Sequence, residues 1–233
     1  MRNLLIFSFL ILVSGGCALN GVSGNGNVLT KDRELENFDG ISISGSLNLE
    51  ILQAADYQVV VQADENLQDI IETYVEDRTL IIRSVENIRQ AKRKDIQVKL
   101  PQLRMLDMSG ATEVKTRGPI EGGGLSLVGS GASELDGELN YQKMKAELSG
   151  ATELNLRGTI NKVAIRSSGA TELSWSNLKI GALQLESSGA TEAELYVTER
   201  MSIEASGASD IEYRGNPVIE KQQLSGAASL KNI

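Results

Sequence analysis

Six carboxylates return along this chain at a near-constant interval: Glu113, Glu134, Glu153, Glu172, Glu192 and Asp210. Each closes a five-residue unit, Ser-Gly-Ala-Thr-Glu in four copies and the looser SGASE and SGASD from Ser130 and Ser206. If the units stack, these carboxylates fall in one column. Oxygen ligands in a row suit a hard cation, so the column is a candidate Ca²⁺ site. The competing reading is a solvated edge. Like charges at strand spacing repel, and each side chain then points to water, screened by salt and by nearby Lys115, Arg157 and Arg166. The Gly-rich nonapeptide with Asp that usually marks calcium-binding β-helical repeats is absent.

Other chemistry has less material to work with. The chain has no histidine, which excludes Ser-His-Asp and Cys-His triads. Gly122-Gly123-Gly124 lacks the Lys that a phosphate-binding loop requires. A paired-carboxylate glycosidase or a calcium-assisted polysaccharide lyase needs acid and base groups among aromatic sugar platforms. Trp175 is the only tryptophan, and it matches an interior position, Leu156, in the preceding repeat. The stacked serines 109, 130, 149, 168, 188, 206 and 225 have two readings. They could present hydroxyls to a polysaccharide, or they could satisfy backbone groups in the turns, where glycine supplies a conformation that other residues avoid.

The positioning elements follow from the spacing. Those seven serines are separated by 21, 19, 19, 20, 18 and 19 residues. A fixed period near 20 is the signature of a repeat architecture. Within a repeat, apolar residues alternate: Met144, Ala146 and Leu148, then Leu154 and Leu156 beyond Ser149-Gly150-Ala151. Period-two alternation predicts strands. Each repeat is two or three short strands joined by tight turns at Ser-Gly-Ala and near Arg-Gly or Asn. One coil cannot bury its apolar face alone, so coils must stack, about 4.8 Å apart. The predicted fold is all-β, a parallel β-helix (β-solenoid) with coils of about 19–20 residues. Parallel crossovers favour the right hand. Upstream, Ile41 to Ile51, Tyr57 to Val61, Thr79 to Arg83 and Ile96 to Leu100 read as strands. Leu67, Ile70, Ile71, Tyr74 and Val75 recur at threes and fours, so Asp64 to Asp77 reads as helical or turn-like.

The first residues read as an export signal: Arg2, an apolar run from Leu4 to Val13, then Ser14-Gly15-Gly16. Ten residues, all apolar but Ser8, are too few to span a bilayer. The chain's only cysteine, Cys17, follows, and the arrangement resembles a bacterial lipoprotein signal whose cysteine is lipidated. By that resemblance, Ala18 after the cysteine points to the outer membrane. The expected division is a signal peptide over 1–16, a lipidated N-terminus and tether over 17–26, and one domain over 27–233. Within that domain, 27–102 form irregular coils and 103–233 the Ser-Gly-Ala repeats. Without residues 1–16 the chain has 22 basic and 31 acidic residues, net −9, which argues against nucleic acid as a partner. Against that balance, Arg89-Gln90-Ala91-Lys92-Arg93-Lys94 is a basic cluster, either a contact for an anionic partner or lipid head group or a solvated loop.

Five further segments carry a family resemblance: Gly24-Asn25-Gly26-Asn27-Val28, Phe38-Asp39-Gly40-Ile41, Ala63-Asp64-Glu65-Asn66-Leu67, Leu80-Ile81-Ile82 and Leu100-Pro101-Gln102-Leu103. Together with the serial Ser-Gly-Ala units, they make residues 24–233 resemble the head GIN domain of putative auto-transporter adhesins. The resemblance implies a right-handed parallel β-helix, found mostly in exported proteins of Bacteroidetes-like bacteria and often in lipoproteins. It carries no agreed catalytic motif. The expected function is therefore a non-enzymatic cell-envelope lipoprotein, an adhesin or a module binding a glycan or an envelope protein. The alternative is a calcium-assisted carbohydrate-active enzyme. The last repeat has no obvious polar cap, so a homo-oligomer is a further expectation.

Overall fold

The structure, a computed structural model, describes residues 21–233. The export signal and Cys17 lie outside the described residues. The described residues are all-β, with fourteen strands and one 3-10 turn at Glu65–Leu67 among them. In order these are β1 (Val22–Ser23), β2 (Val28–Arg33), β3 (Gly40–Gly45), β4 (Asn48–Gln53), β5 (Gln58–Asp64), β6 (Ile71–Glu76), β7 (Thr79–Ser84) and β8 (Ile88–Gln90). There follow β9 (Lys94–Leu100), β10 (Met105–Gly110), β11 (Glu113–Gly129), β12 (Ala132–Arg214), β13 (Val218–Leu224) and β14 (Ser229–Asn232). No helix among the described residues is long and apolar enough to cross a membrane.

The repeat region pairs in parallel at the spacing read from the serines. β11 pairs with β12 so that Glu113 meets Glu134, Val114 meets Leu135 and Leu127 meets Ala146. β13 and β14 pair in parallel with β12 in turn. Register carries apolar residues into continuous interior columns: Leu80, Ile41, Leu106, Leu127 and Ala146 are successive partners. Ile96, Leu49, Val114 and Leu135 form a second column. All nine of these side chains are buried, as are Leu154, Leu156 and Trp175 further along. The alternation survives because outward and inward neighbours exchange at every residue.

The sheet is mixed rather than purely parallel. β5 pairs antiparallel with both β2 and β9, and β6 pairs antiparallel with β7. These hairpins lie at the N-terminal end of the parallel stack. An uncovered end coil would expose its apolar columns, and these antiparallel strands extend the sheet there, with β2 and β6 as its edges. The segment read as helical is instead the 3-10 turn and strand β6. Ile71, Thr73 and Val75 are β-branched and alternate, which suits a strand. Asp77 and Arg78, at φ 46° and 62°, form the two-residue turn that returns the chain into β7. The apolar spacing of threes and fours arises because strand and turn follow one another within fourteen residues of sequence.

Order begins before residue 27. β1 pairs with β8, and the Gly24 amide donates to the Gln90 carbonyl at 2.7 Å. Asp64 is buried and accepts from the backbone N–H of Gly26 (3.0 Å), Lys92 (3.2 Å) and Arg93 (3.0 Å). Burial pushes its carboxyl up, but the three amides outweigh that and hold it below the ordinary range.

Candidate functional site

The glycine of each repeat sets the geometry of the carboxylate row. Gly150 has φ +77°, a region that favours glycine. A Cβ there would lie 2.5 Å from the Gly131 carbonyl oxygen, and Gly169 stands in the same relation to Gly150. The Ala151 amide donates to the Gly131 carbonyl at 2.7 Å. Backbone thus stacks directly on backbone at this corner, from Gly45 through Gly226. Three residues past each of the six glycines from Gly110 to Gly207 stands a carboxylate, at 113, 134, 153, 172, 192 and 210, so all six continue in one row.

The structure shows how closely the row is set. Glu113 and Glu134 are direct register partners. Burial pushes the Glu134 carboxyl up, and the charges of Glu153 and Glu113 push it further. The row extends beyond the sequence-predicted members. Asn48 precedes Glu113 and donates to Asp95 at 2.8 Å, while Ser229 follows Asp210 and donates to it at 2.5 Å. Lys115 pairs with Glu113, and Asn155 donates to Glu153 at 2.9 Å. Glu172 and Glu192 are exposed and carry no hydrogen bond or ion pair among the described residues. Arg157 reaches back to Asp136 and Glu138 at 3.5 and 3.4 Å.

A row is not a cage. Side chains on one sheet face leave it in the same direction, so neighbouring carboxylates run parallel instead of converging. Among the described residues, no group of three or more His, Cys, Asp or Glu gathers in a way that could hold a metal ion.

The hydroxyls divide into two sets, and sequence reading found only one. In four units the first serine, Ser130, Ser149, Ser188 or Ser206, bonds to the preceding repeat: Ser130 donates to the Met108 carbonyl at 3.4 Å and Ser206 to that of Ser187 at 3.3 Å. These hydroxyls are occupied by backbone. The second set lies inside. Thr112, Ser133, Thr152, Thr171, Thr191 and Ser209 are buried, joined by Ser167 and Ser187. Ser187 lies 2.5 Å from the Thr191 hydroxyl and 3.5 Å from that of Ser209. The signal was available: if Glu153 points out, alternation turns Thr152 in.

Two shallow grooves flank the Ser-Gly-Ala corner and the adjoining sheet face. The larger, about 1140 Å³, runs past Glu147, Arg166, Glu186 and Glu204. Arg166 pairs with Glu186 at 2.9 Å and Lys221 with Glu204 at 2.7 Å across repeats, while Glu147 pairs with Lys145 at 2.6 Å within its own repeat. The second, about 670 Å³, carries Lys143, Lys145, Lys162 and Arg200 over Leu125, Met144 and Leu183. Neither brings an acid, a base and a nucleophile together. Trp175 is fully buried and offers no sugar platform. The basic cluster spans β8 and the start of β9. Arg93 is bound to Asp95 at 2.8 Å and Lys94 to the Ser46 hydroxyl at 2.7 Å.

Successive repeats thus pair in parallel and carry regular polar rows. The chain belongs to the family described as "Putative auto-transporter adhesin, head GIN domain", whose profile matches residues 37–217. Its fold is that of a "putative adhesin" from Bacteroides fragilis, with TM-score 0.83, 24% identity, and 91% of this chain and 100% of that chain covered. A "putative adhesin" from Parabacteroides distasonis gives TM-score 0.72 at 15% identity, covering 92% and 100%. A protein from the same species described as a "putative lipid binding protein" gives 0.67 at 20%, covering 91% and 99%. No curated protein matches the chain.

Proposed function

We propose that this chain is a non-enzymatic cell-envelope lipoprotein, anchored through Cys17 to the outer membrane, that binds a glycan or an envelope protein on its repeat faces. Its repeat region is read as a right-handed parallel β-helix. The parallel register of successive repeats supports the helix, and the general hand of parallel crossovers supports the right-handed sense. Family membership supports an exported adhesive role. The observation that carries the reading is the row ending in Glu172, Glu192 and Asp210: a regular, exposed, acidic edge whose two glutamates are free of partners within the described chain. Such a row recognises a repeating ligand through hydroxyl donors or a protein surface through basic residues.

The test has two arms. Full-length protein is screened against glycans and envelope proteins, and Glu172→Lys with Glu192→Lys is run beside it. Binding lost in the double variant supports the reading. Binding that ignores the charge reversal, or turnover of a polysaccharide during the screen, overturns it. Cell fractionation of Cys17→Ala tests the anchor, with release from the membrane fraction expected.

A further inference from the structure

We propose that the pole built by residues 85–93 faces the bilayer, and that Arg89 and Lys92 there dock on anionic phospholipid head groups. The inference rests on the reading of Cys17 as the lipid anchor. Three residues lie between Cys17 and Gly21, so even a fully extended chain, four Cα steps long, places Gly21 within about 14 Å of the anchored cysteine. Gly21 packs directly on this pole. A methyl added to it would meet the Asn87 carbonyl at 2.6 Å and the Arg89 side chain at 2.7 Å. The next residue, Val22, donates to the Asn87 carbonyl at 2.8 Å and opens β1 against β8. The anchor therefore cannot carry this pole far from the lipid.

The pole is charged opposite to the rest of the protein. Of its cations, Arg93 is neutralised by Asp95. Lys92 reaches the Gly26 carbonyl at 3.5 Å and shares the field of the buried Asp64 carboxylate without a direct ion pair, and Arg89 has no ion pair among the described residues. Both are exposed, and Glu86 is the single carboxylate between residues 85 and 93. The chain from Cys17 onward carries net −9. An anionic bilayer surface therefore attracts this pole and repels the acidic row around Glu134, Asp136 and Glu138. Val85, 49% exposed, adds an apolar contact in the same loop. Asp64 locks the arrangement: one buried carboxylate holds the backbone of Gly26 on the entering segment and of Lys92 and Arg93 in the basic loop. Anchor strand and cationic loop are thereby joined through one side chain as well as through the β1–β8 pairing.

Full-length acylated protein is reconstituted on vesicles of phosphatidylglycerol with phosphatidylethanolamine, and on vesicles of phosphatidylcholine alone. A water-soluble amine reagent then labels exposed lysines, read by peptide mass spectrometry, with Lys143 and Lys231 as references. Each cation near an anionic surface gains a factor of about five in association. Lys92 labelling should accordingly slow about fivefold on the anionic vesicles only. High salt should restore it, Arg89→Gln should weaken the shielding, and the references should not change. Equal Lys92 rates on both vesicles, with Cys17 acylated in the same spectra, overturn the docking while leaving the anchor intact. An unacylated Cys17 overturns the anchor reading and this proposal with it.

Discussion

Gly150→Ala isolates the feature that sets the repeat geometry. At φ +77° a residue with a Cβ pays about 1–2 kcal/mol. That Cβ would also lie 2.5 Å from the Gly131 carbonyl and 2.9 Å from the Gly131 nitrogen, both backbone atoms that cannot rotate away. Relieving the overlap forces two repeats apart, at about 1–3 kcal/mol for overpacking. It also stretches the 2.7 Å bond from the Ala151 amide to the Gly131 carbonyl, worth about 1 kcal/mol. The total is about 3–6 kcal/mol, or a fall in melting temperature on the order of 10 °C for a domain of this size. Two other glycines separate the contributions. Gly118 has φ +85° but nothing within 4 Å of an added Cβ, so Gly118→Ala should show the backbone strain alone, about 1–2 kcal/mol. Gly123 has open space and no positive φ, so Gly123→Ala should stay within about 0.5 kcal/mol. Thermal and urea melts followed by circular dichroism rank the three. If Gly150→Ala melts no lower than Gly118→Ala, backbone stacking does not define the corner and the reasoning fails.

Three further outcomes follow from the same geometry. Leu154→Asp buries an unpaired charge in a dry column and should cost roughly 4 kcal/mol or more, whereas Glu172→Gln, exposed and without a partner among the described residues, should cost under about 1 kcal/mol; urea melts compare them. Glu134→Gln should stabilise the protein at neutral pH. The folded-state carboxyl of Glu134 is raised, so ionising it costs stability as pH climbs above the unfolded value near 4.5, and below that value variant and wild type should melt alike. Asp64 has the opposite sign. Its folded value is depressed below 3.8, so the stability it supplies is present above the unfolded value and lost as pH falls through the folded one. Asp64→Ala should therefore destabilise most at neutral pH and least in strong acid, read from melts across that range.

Much of this architecture was legible in the sequence because repetition enforces it. A period near 20 with alternation inside it leaves few choices for Leu154, Leu156 or Trp175, and all three are buried. The carboxylate row was equally legible, since stacked repeats bring equal positions together. Three things were not. The antiparallel strands β2, β5 and β6 extend the sheet at one end of the stack, and end strands occur once, so no repeat announces them. Strand β6 imitated a helix because a turn before it shifted its alternation into threes and fours. The buried hydroxyls from Thr112 to Ser209 looked like surface residues by type, and only their place next to an outward carboxylate gives them away. Whether a row of carboxylates is a cage also depends on side-chain direction, which spacing alone does not carry.

A calcium titration followed by melting tests the account of the row most directly. Because Glu113, Glu134, Glu153, Glu172, Glu192 and Asp210 line up without converging, the melting midpoint should not move when Ca²⁺ is added. A calcium-dependent rise in the midpoint, lost when Glu153 and Glu172 are both changed to Gln, would contradict that account and make the row a metal site.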